Sequence, residues 1–279
     1  MFENIVVPLD RSKLAEIALP YAEELAARMG SDVVLLTCVE SEEAREMEKY
    51  YLYITRIKNA TKRHAQKYIQ REEEKAVNVT IATQPGDPAE GILEYAGKSS
   101  FPLIVMASHG KSGISRWAVG SVADKVVRDG DSHLVMLIRA NETHSDIREK
   151  RLLKKGLVPL DGSFRSEAVL PYITNIAYKA EMDLTILRVV PETDQAKTDA
   201  EAYLKNICEK ITDIADINLD YKVGVGPVAE TIIDLADEMT VDLVAMSTRG
   251  MNRKNPLSLG SVAQKVFLGG NTPLLLIKK

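Results

Sequence analysis

Residues 105–127 read VMASHGKSGISRWAVGSVADKVV. An apolar run breaks at Ser108-His109-Gly110, and helical spacing resumes after Gly120-Ser121. The tripeptide Gly110-Lys111-Ser112 is the ending of a phosphate-binding P-loop. Such a loop also needs a glycine five residues before the GK glycine, so that its backbone can curl around phosphates. Val105 stands there, and the P-loop reading fails. What remains is a strand, a glycine-bearing loop and a helix opening on Gly-Ser. A glycine lets backbone approach a ligand closely, and a helix N-terminus offers free N–H groups and partial positive charge to an anion. A single Gly-Ser before a helix is an ordinary cap. Its weight depends on whether the arrangement recurs.

It does recur. LIVMASHG (103–110) returns as LVAMSTRG (243–250), and GSVADKVV (120–127) returns as GSVAQKVF (260–267). IVVPLDRSKLAEIALPY (5–21) returns as GLVPLDGSFRSEAVLPY (156–172), so that Asp10 matches Asp161. PGDPAEGILEYA (85–96) returns as VGPVAETIIDLA (225–236). The offset is 151 residues in the first block and 140 in the later ones, so the second copy is 11 residues shorter between its second and third strands. A duplicated pattern over the whole chain implies two domains of one fold. The expected boundaries are 1–140 and 152–279, with a charged linker at 141–151 that has no apolar period.

Within each copy, short β-branched or leucine-rich runs alternate with longer stretches of helical period. In the first copy, strands are expected near 2–8, 32–39, 77–83, 102–107 and 133–139, and helices near 13–29, 42–74, 88–98 and 120–129. Runs such as LIVMA and HLVMLI are apolar throughout, as strands buried on both faces are. Alternating β and α elements with right-handed crossovers predict an α/β fold with two open five-stranded parallel sheets, strand order 3-2-1-4-5, covered by helices on both faces. Ligands of such sheets sit beyond the carboxyl ends of the strands where strand order reverses, here between the first and fourth strands. The repeated motifs follow those two strands.

Asp10 and Asp161 close the first strand of each copy, where a carboxylate can accept hydrogen bonds from a ribose hydroxyl or an adenine amino group, or can cap the following helix. Ser12 can equally serve as that cap. After the fourth strand come Ser108-His109-Gly110 and Thr248-Arg249-Gly250, and later Gly120-Ser121 and Gly260-Ser261. The exchange of His109 for Arg249 favours a general polar role over a specific proton transfer. Lys111, Arg116, Arg249, Arg253 and Lys254 can neutralise phosphate or simply form a solvated basic loop. The charged run from Glu42 to Lys75 reads as a long helix with a solvated face, with a partner-binding surface as the alternative.

Each half resembles a universal stress protein domain. That family's nucleotide motif, G-x2-G-x9-G-(S/T), corresponds here to Ala107-x2-Gly110-x9-Gly120-Ser121 and to Ser247-x2-Gly250-x9-Gly260-Ser261. Both copies depart at the first glycine. The resemblance implies a Rossmann-like sheet of the adenine nucleotide alpha hydrolase type, with ATP or AMP as ligand and Mg2+ held through the phosphates only. It places the adenine and ribose end at Asp10 and the backbone of Val39, and the ribose and phosphates at Met106, Ala107, Gly110, Gly120, Ser121 and Val122. In the second copy it places them at Asp161, Val189, Met246, Ser247, Gly250, Gly260, Ser261 and Val262. It further implies a stress-response regulatory protein with its two domains paired as an intrachain pseudo-dimer through the last strands, and with a homodimer of the whole chain as a further option.

Other classes fit less well. No Cys/His metal spacing or nucleophile elbow occurs, and no arginine finger or base for phosphoryl transfer is evident, so no catalytic residue is assigned. The alternatives kept are a non-nucleotide-binding interaction module of the same fold and a slow ATPase. The net charge of −4 argues against a nucleic-acid partner. No apolar run is long enough to span a bilayer, and the N-terminus has no basic region followed by a long apolar one. Cys38 and Cys208 belong to no CxxC pair and are expected as buried inert thiols. The expected location is cytoplasmic.

Overall fold

The computed structural model describes residues 2–39, 47–69, 76–99, 101–109, 120–130, 133–139, 151–248 and 260–278. The chain divides into two compact units, Met1–Leu152 and Leu153–Lys279. The expected charged linker, up to residue 150, lies outside the described residues.

In the first unit the elements run β1 (Asn4–Pro8), α1 (Lys13–Glu16), α2 (Leu19–Met29), β2 (Asp32–Val39), α3 (Met47–Gln66), β3 (Val79–Pro85), α4 (Pro88–Gly97), β4 (Leu103–Ala107), α5 (Ser121–Asp129) and β5 (Leu134–Ile138). The strands lie in the order β3-β2-β1-β4-β5, and neighbours pair parallel. Every residue of β4 and β5 is buried, as a sheet covered on both faces requires. Helix α2 packs on α3, and α4 on α5. Steps from β1 to β3 run one way across the sheet and steps from β4 to β5 the other, so right-handed crossovers put these helix pairs on opposite faces.

The second unit repeats the plan with β6 (Lys155–Pro159), a 3-10 helix at Ser166–Val169, α6 (Leu170–Ala180), β7 (Asp183–Val190), α7 (Asp194–Thr212), β8 (Leu219–Val225), α8 (Val228–Glu238), β9 (Leu243–Ser247), α9 (Ser261–Gly269) and β10 (Leu274–Ile277). Its strands lie in the order β8-β7-β6-β9-β10, again all parallel. The expected order 3-2-1-4-5 is therefore present in each unit.

One helix differs from expectation for a physical reason. The helix expected at 13–29 is broken into α1 and α2, because Pro20 has no N–H and its ring clashes with the carbonyl four residues back. Pro171 starts α6 in the same way after the 3-10 turn. The helix expected at 42–74 is seen as α3, Met47–Gln66, while 40–46 and 70–75 lie outside the described residues. Its buried stripe is Tyr50, Ile54, Ile57, Thr61 and Ala65, at helical spacing, and Tyr51 and Leu52 face outward. Helix α2 carries Glu24, which is fully buried and accepts a 2.7 Å hydrogen bond from the Leu152 N–H at the end of the unit.

The register creates the crevice. Strand β1 pairs with β2 along all of Asn4–Pro8 but with β4 only at Ile5 and Val6. In the second unit, β6 pairs with β7 along Lys155–Pro159 but with β9 only at Gly156 and Leu157. Beyond those residues the first and fourth strands part at their carboxyl ends.

Asp87 fastens α4 beside this crevice. Its Oδ1 caps the helix by accepting from the N–H groups of Ala89 (3.1 Å) and Glu90 (3.0 Å), and Lys125 of α5 reaches it at 3.2 Å. The Glu90 N–H bond, followed by Lys125, holds the Asp87 carboxyl below its ordinary value of 3.8. A depressed carboxyl stabilises the fold above its unfolded pKa and loses that contribution as pH falls through the folded one. Asp87→Ala should therefore cost about 1 kcal/mol, the usual worth of such a cap. In urea unfolding the difference from wild type should be full at neutral pH and shrink below about pH 4.

Candidate functional site

After β1 the ladder continues for one bond, Leu9 N–H to the Leu36 carbonyl at 2.8 Å, and the chain then turns. Asp10 Oδ1 accepts from both the N–H (2.9 Å) and the hydroxyl (2.5 Å) of Ser12. Ser12 Oγ in turn accepts from the Ala15 N–H at 3.0 Å and caps α1. The second unit repeats this, with Asp161 Oδ1 accepting from Ser163 at 2.9 and 2.5 Å and Ser163 Oγ accepting from the Ser166 N–H at 3.1 Å. In the first unit the serine is thus the cap, and in both units the aspartate closes a tight turn that holds its carboxylate at the end of the strand. The turn needs a left-handed residue after the aspartate. Gly162 supplies φ +82, and Arg11 adopts φ +68 in spite of its side chain, at a cost of about 1–2 kcal/mol.

The other side of the crevice is built at the end of the fourth strand. Ser108 N–H bonds the Ile138 carbonyl and Gly120 N–H bonds the Ser108 carbonyl, both at 2.8 Å. Thr248 with Ile277 and Gly260 with Thr248 repeat both bonds at 2.8 Å. These bonds pin the start of the next helix against the strand. Gly120 is needed for this approach, since a Cβ there would lie 3.0 Å from the Ser108 carbonyl oxygen and 3.5 Å from His109 Cα. Neither α5 nor α9 receives a side-chain cap, so their first-turn N–H groups face the crevice without one. His109 is 5% exposed, with Nδ1 3.0 Å from Ser108 Oγ and Nε2 buried without a hydrogen-bond partner. Thr248 Oγ1 is likewise buried and unpartnered.

Between these two constructions the first unit has a cavity of about 380 Å³. It brings together Asp10, Met106, Ala107, Gly120, Ser121 and Val122 of the expected residues. Val39 does not line it; its carbonyl accepts from the Gly86 N–H at 3.3 Å. Thr37, Cys38 and Tyr50 do line it, with Arg11 and His109. Thr37 and Cys38 lie near the end of β2 and reach the cavity because β2 flanks β1, whereas Tyr50 arrives on α3 with no local signal. Burial, and then the charge of Asp87, push the Cys38 thiol up to about 11, so it is a neutral wall group. Both cysteines are free and half-buried, which is less enclosed than the sequence suggested. Gly110, the basic residues from Lys111 to Arg116, Arg249, Gly250, Arg253 and Lys254 lie outside the described residues.

In the second unit, Asp161 closes β6, Met246 and Ser247 end β9, and Gly260, Ser261 and Val262 open α9. Ser247 turns its hydroxyl to the Ile277 carbonyl at 3.4 Å. The pairing of Val39 with Val189 is corrected by the register. Pro8 pairs with Leu36 and Pro159 with Leu187, so Val189 corresponds to Cys38 and Val190 to Val39. On the same register Arg188 stands where the first unit has Thr37. Its guanidinium lies 4.7 Å from the Tyr203 ring centroid, and its Nη atoms lie 2.9 and 3.0 Å from where a Cβ on Gly162 would be. In the first unit Arg11 stacks instead on Tyr50, at 5.8 Å, and Thr37 donates to the Leu9 carbonyl at 3.1 Å. Tyr203 bonds Glu167 at 2.8 Å as Tyr53 bonds Glu16 at 3.1 Å, and burial together with these carboxylates raises both phenol pKa values.

Among the described residues no group of three or more His, Cys, Asp or Glu is placed to hold a metal ion. No described helix is long and apolar enough to cross a membrane.

Comparison with known proteins bears on the whole chain. Over its full length it is similar to universal stress protein Slr1230 of Synechocystis, 21% identical across 99% of this chain and 100% of that protein. Universal stress protein MJ0577 of Methanocaldococcus jannaschii is 23% identical over 50% of this chain and 98% of its own. A crystal structure of a universal stress protein from Archaeoglobus fulgidus shares the fold with a TM-score of 0.72 at 20% identity, covering 99% of this chain and 96% of that one. The model of the Universal stress protein family matches residues 1–137 and again 153–278. With a site of the same plan at the end of the same strands in both units, the chain belongs to the universal stress protein family, which it represents twice over.

Proposed function

We propose that the first unit binds an adenine nucleotide, ATP or AMP, and that the chain is a stress-response regulator acting by binding rather than by catalysis. The observation that carries this reading is the pair of unmet needs in the cavity wall. The N-terminus of α5 lacks a side-chain cap, and His109 Nε2 is buried without a partner. Buried polar groups are paired in the great majority of proteins, and leaving one unpaired costs about 1–3 kcal/mol. A phosphate oxygen answers both needs, since the helix start offers N–H groups and the positive end of its dipole. The Ser108 hydroxyl already lies against His109 Nδ1, so Nε2 is the ring nitrogen still to be satisfied. At the other end, Asp10 is held by its turn as an acceptor for ribose or adenine donors, and Leu36, Ile92 and Met106 offer apolar wall to a base. The volume falls within the ordinary range for small-molecule sites, about 300–1,000 Å³. A nearby nucleophile or base for hydrolysis is not part of this reading, because Cys38 is kept neutral.

Heating the purified protein should release adenine nucleotide, read by chromatography of the supernatant. Asp10→Asn keeps an oxygen for the Ser12 turn but removes the charge. It should weaken adenosine, AMP and ATP by a similar factor, on the order of tenfold, as loss of one charged hydrogen bond would. Lys111→Ala should weaken ATP by no more than about tenfold, since a cation of the solvated basic loop that the sequence suggests contributes about 0–1 kcal/mol. Calorimetry with the three ligands decides; a far larger loss confined to ATP and to Lys111→Ala would reinstate a P-loop.

Cys38 gives a second readout. With a pKa of about 11, only ~0.1% of the thiol is ionised at pH 8, and the thiolate is the reactive form. Alkylation by iodoacetamide, followed by mass spectrometry, should be slow at pH 8 and rise about tenfold per pH unit towards pH 11. Saturating AMP should slow it further at Cys38 but not at Cys208, which lies on α7 of the second unit.

A further inference from the structure

The two units have exchanged residue types at one pair of positions. The first carries Arg11 after its aspartate and Thr37 near the end of its second strand; the second carries Gly162 and Arg188 at the same two places. In the first unit both positions line the open cavity, and the small Thr37 side chain is turned to the Leu9 carbonyl. In the second, the half-buried Arg188 side chain lies across the turn that holds Asp161. Its guanidinium atoms stand 2.9–3.1 Å from the point that a side-chain carbon on Gly162 would take. Tyr203 covers the same guanidinium at 4.7 Å.

We propose that Arg188 fills the nucleoside end of the second site, so that the chain holds one adenine nucleotide, in its first unit. The inference rests on the reading of the first unit given above. Its steric content is direct. The volume bounded in the first unit by Asp10, Thr37 and the loop after β1 is taken in the second by a guanidinium that is stacked on a ring and pressed on a glycine. A nucleoside entering there must displace a side chain that has its own aromatic partner, and stacked arginine is favourable. Gly162 fits this arrangement twice, since its φ of +82 favours glycine and its missing Cβ leaves the room that Arg188 uses. Where the second strand carries threonine instead, the same left-handed position tolerates Arg11. At the phosphate end the second unit keeps the Gly260 N–H bonded to Thr248 and a start of α9 without a side-chain cap.

The test counts bound AMP per full-length chain by equilibrium dialysis, with circular dichroism and thermal melting to verify folding. Wild type should bind one AMP, and Arg188→Thr should bind two; Arg188→Ala, the back-up should the threonine variant not fold, should also bind two. Transplanting the second unit's pair into the first, as Arg11→Gly with Thr37→Arg, should weaken binding at least 100-fold. Adding Arg188→Thr to that transplant should restore one site, now in the second unit. Two AMP bound by wild type, one still bound by Arg188→Thr or Arg188→Ala, or undiminished binding by the folded transplant would each overturn the proposal. A wild type that binds none while Arg188→Thr binds one would uphold the role of Arg188 and sink the reading of the first unit. If neither binds, both fall.

Discussion

The crevice exists because β1 cannot follow two partners for equal distances. It runs beside β2 for its whole length but keeps register with β4 for two residues only. In a parallel sheet whose crossovers are right-handed, the chain leaving β1 and the chain leaving β4 must turn to opposite faces. The gap they leave is therefore a product of connectivity, present before any ligand is considered. What the residues decide is what lines it. The Asp10–Ser12 turn fixes an acceptor on one side, and the Ser108–Gly120 bond fixes a helix start on the other. The same two devices recur in the second unit with nearly the same distances. The scaffold is thus a constraint shared by both units, and the chemistry is a local choice.

Much of this was legible in the sequence, for a physical reason. Apolar runs such as LIVMA must be buried on both faces, and the motif residues lie directly beside the strand ends in the chain. Asp10, Ala107 and Gly120 could be placed at the crevice without knowing how distant elements pack. Thr37, Cys38 and Tyr50 could be placed only by knowing which strand and helix flank β1 and how far each extends. The slip between Val39 and Val189 shows the same limit. One residue along a strand reverses the face, and the 151-residue offset of the first block, carried through to β7, pairs Cys38 with Val189. Pro20 is visible in the sequence, and its missing N–H and its ring split the first helix into two. The serine cap shows a further limit, because Asp10 and Ser12 are both good capping residues and only the bond pattern separates them.

The two units also show how a duplicated fold can diverge without disturbing its frame. Arg188 reads in the sequence as a charged residue in a half-apolar strand, an unremarkable feature. It acquires meaning only beside Gly162, which is distant in the chain and adjacent in space. The exchange of arginine between loop and strand leaves the hydrogen-bonded turn unchanged in both units. Each guanidinium finds a tyrosine, but a different one, Tyr50 in the first unit and Tyr203 in the second. Such a change alters the space available to a ligand while leaving the ladder of the sheet as it was.

The buried carboxylate of Glu24 has a practical corollary. Its bond to the Leu152 N–H ties the last residue of the first unit to the middle of α2. A chain cut at residue 140, where the apolar pattern of the sequence stops, would remove that donor from a fully buried carboxyl group. Losing one hydrogen-bond donor at a buried carboxyl group is costly. Anyone dissecting this protein into halves should therefore carry the first piece past Leu152, because the domain ends where its last internal hydrogen bond is made and not where its last strand stops.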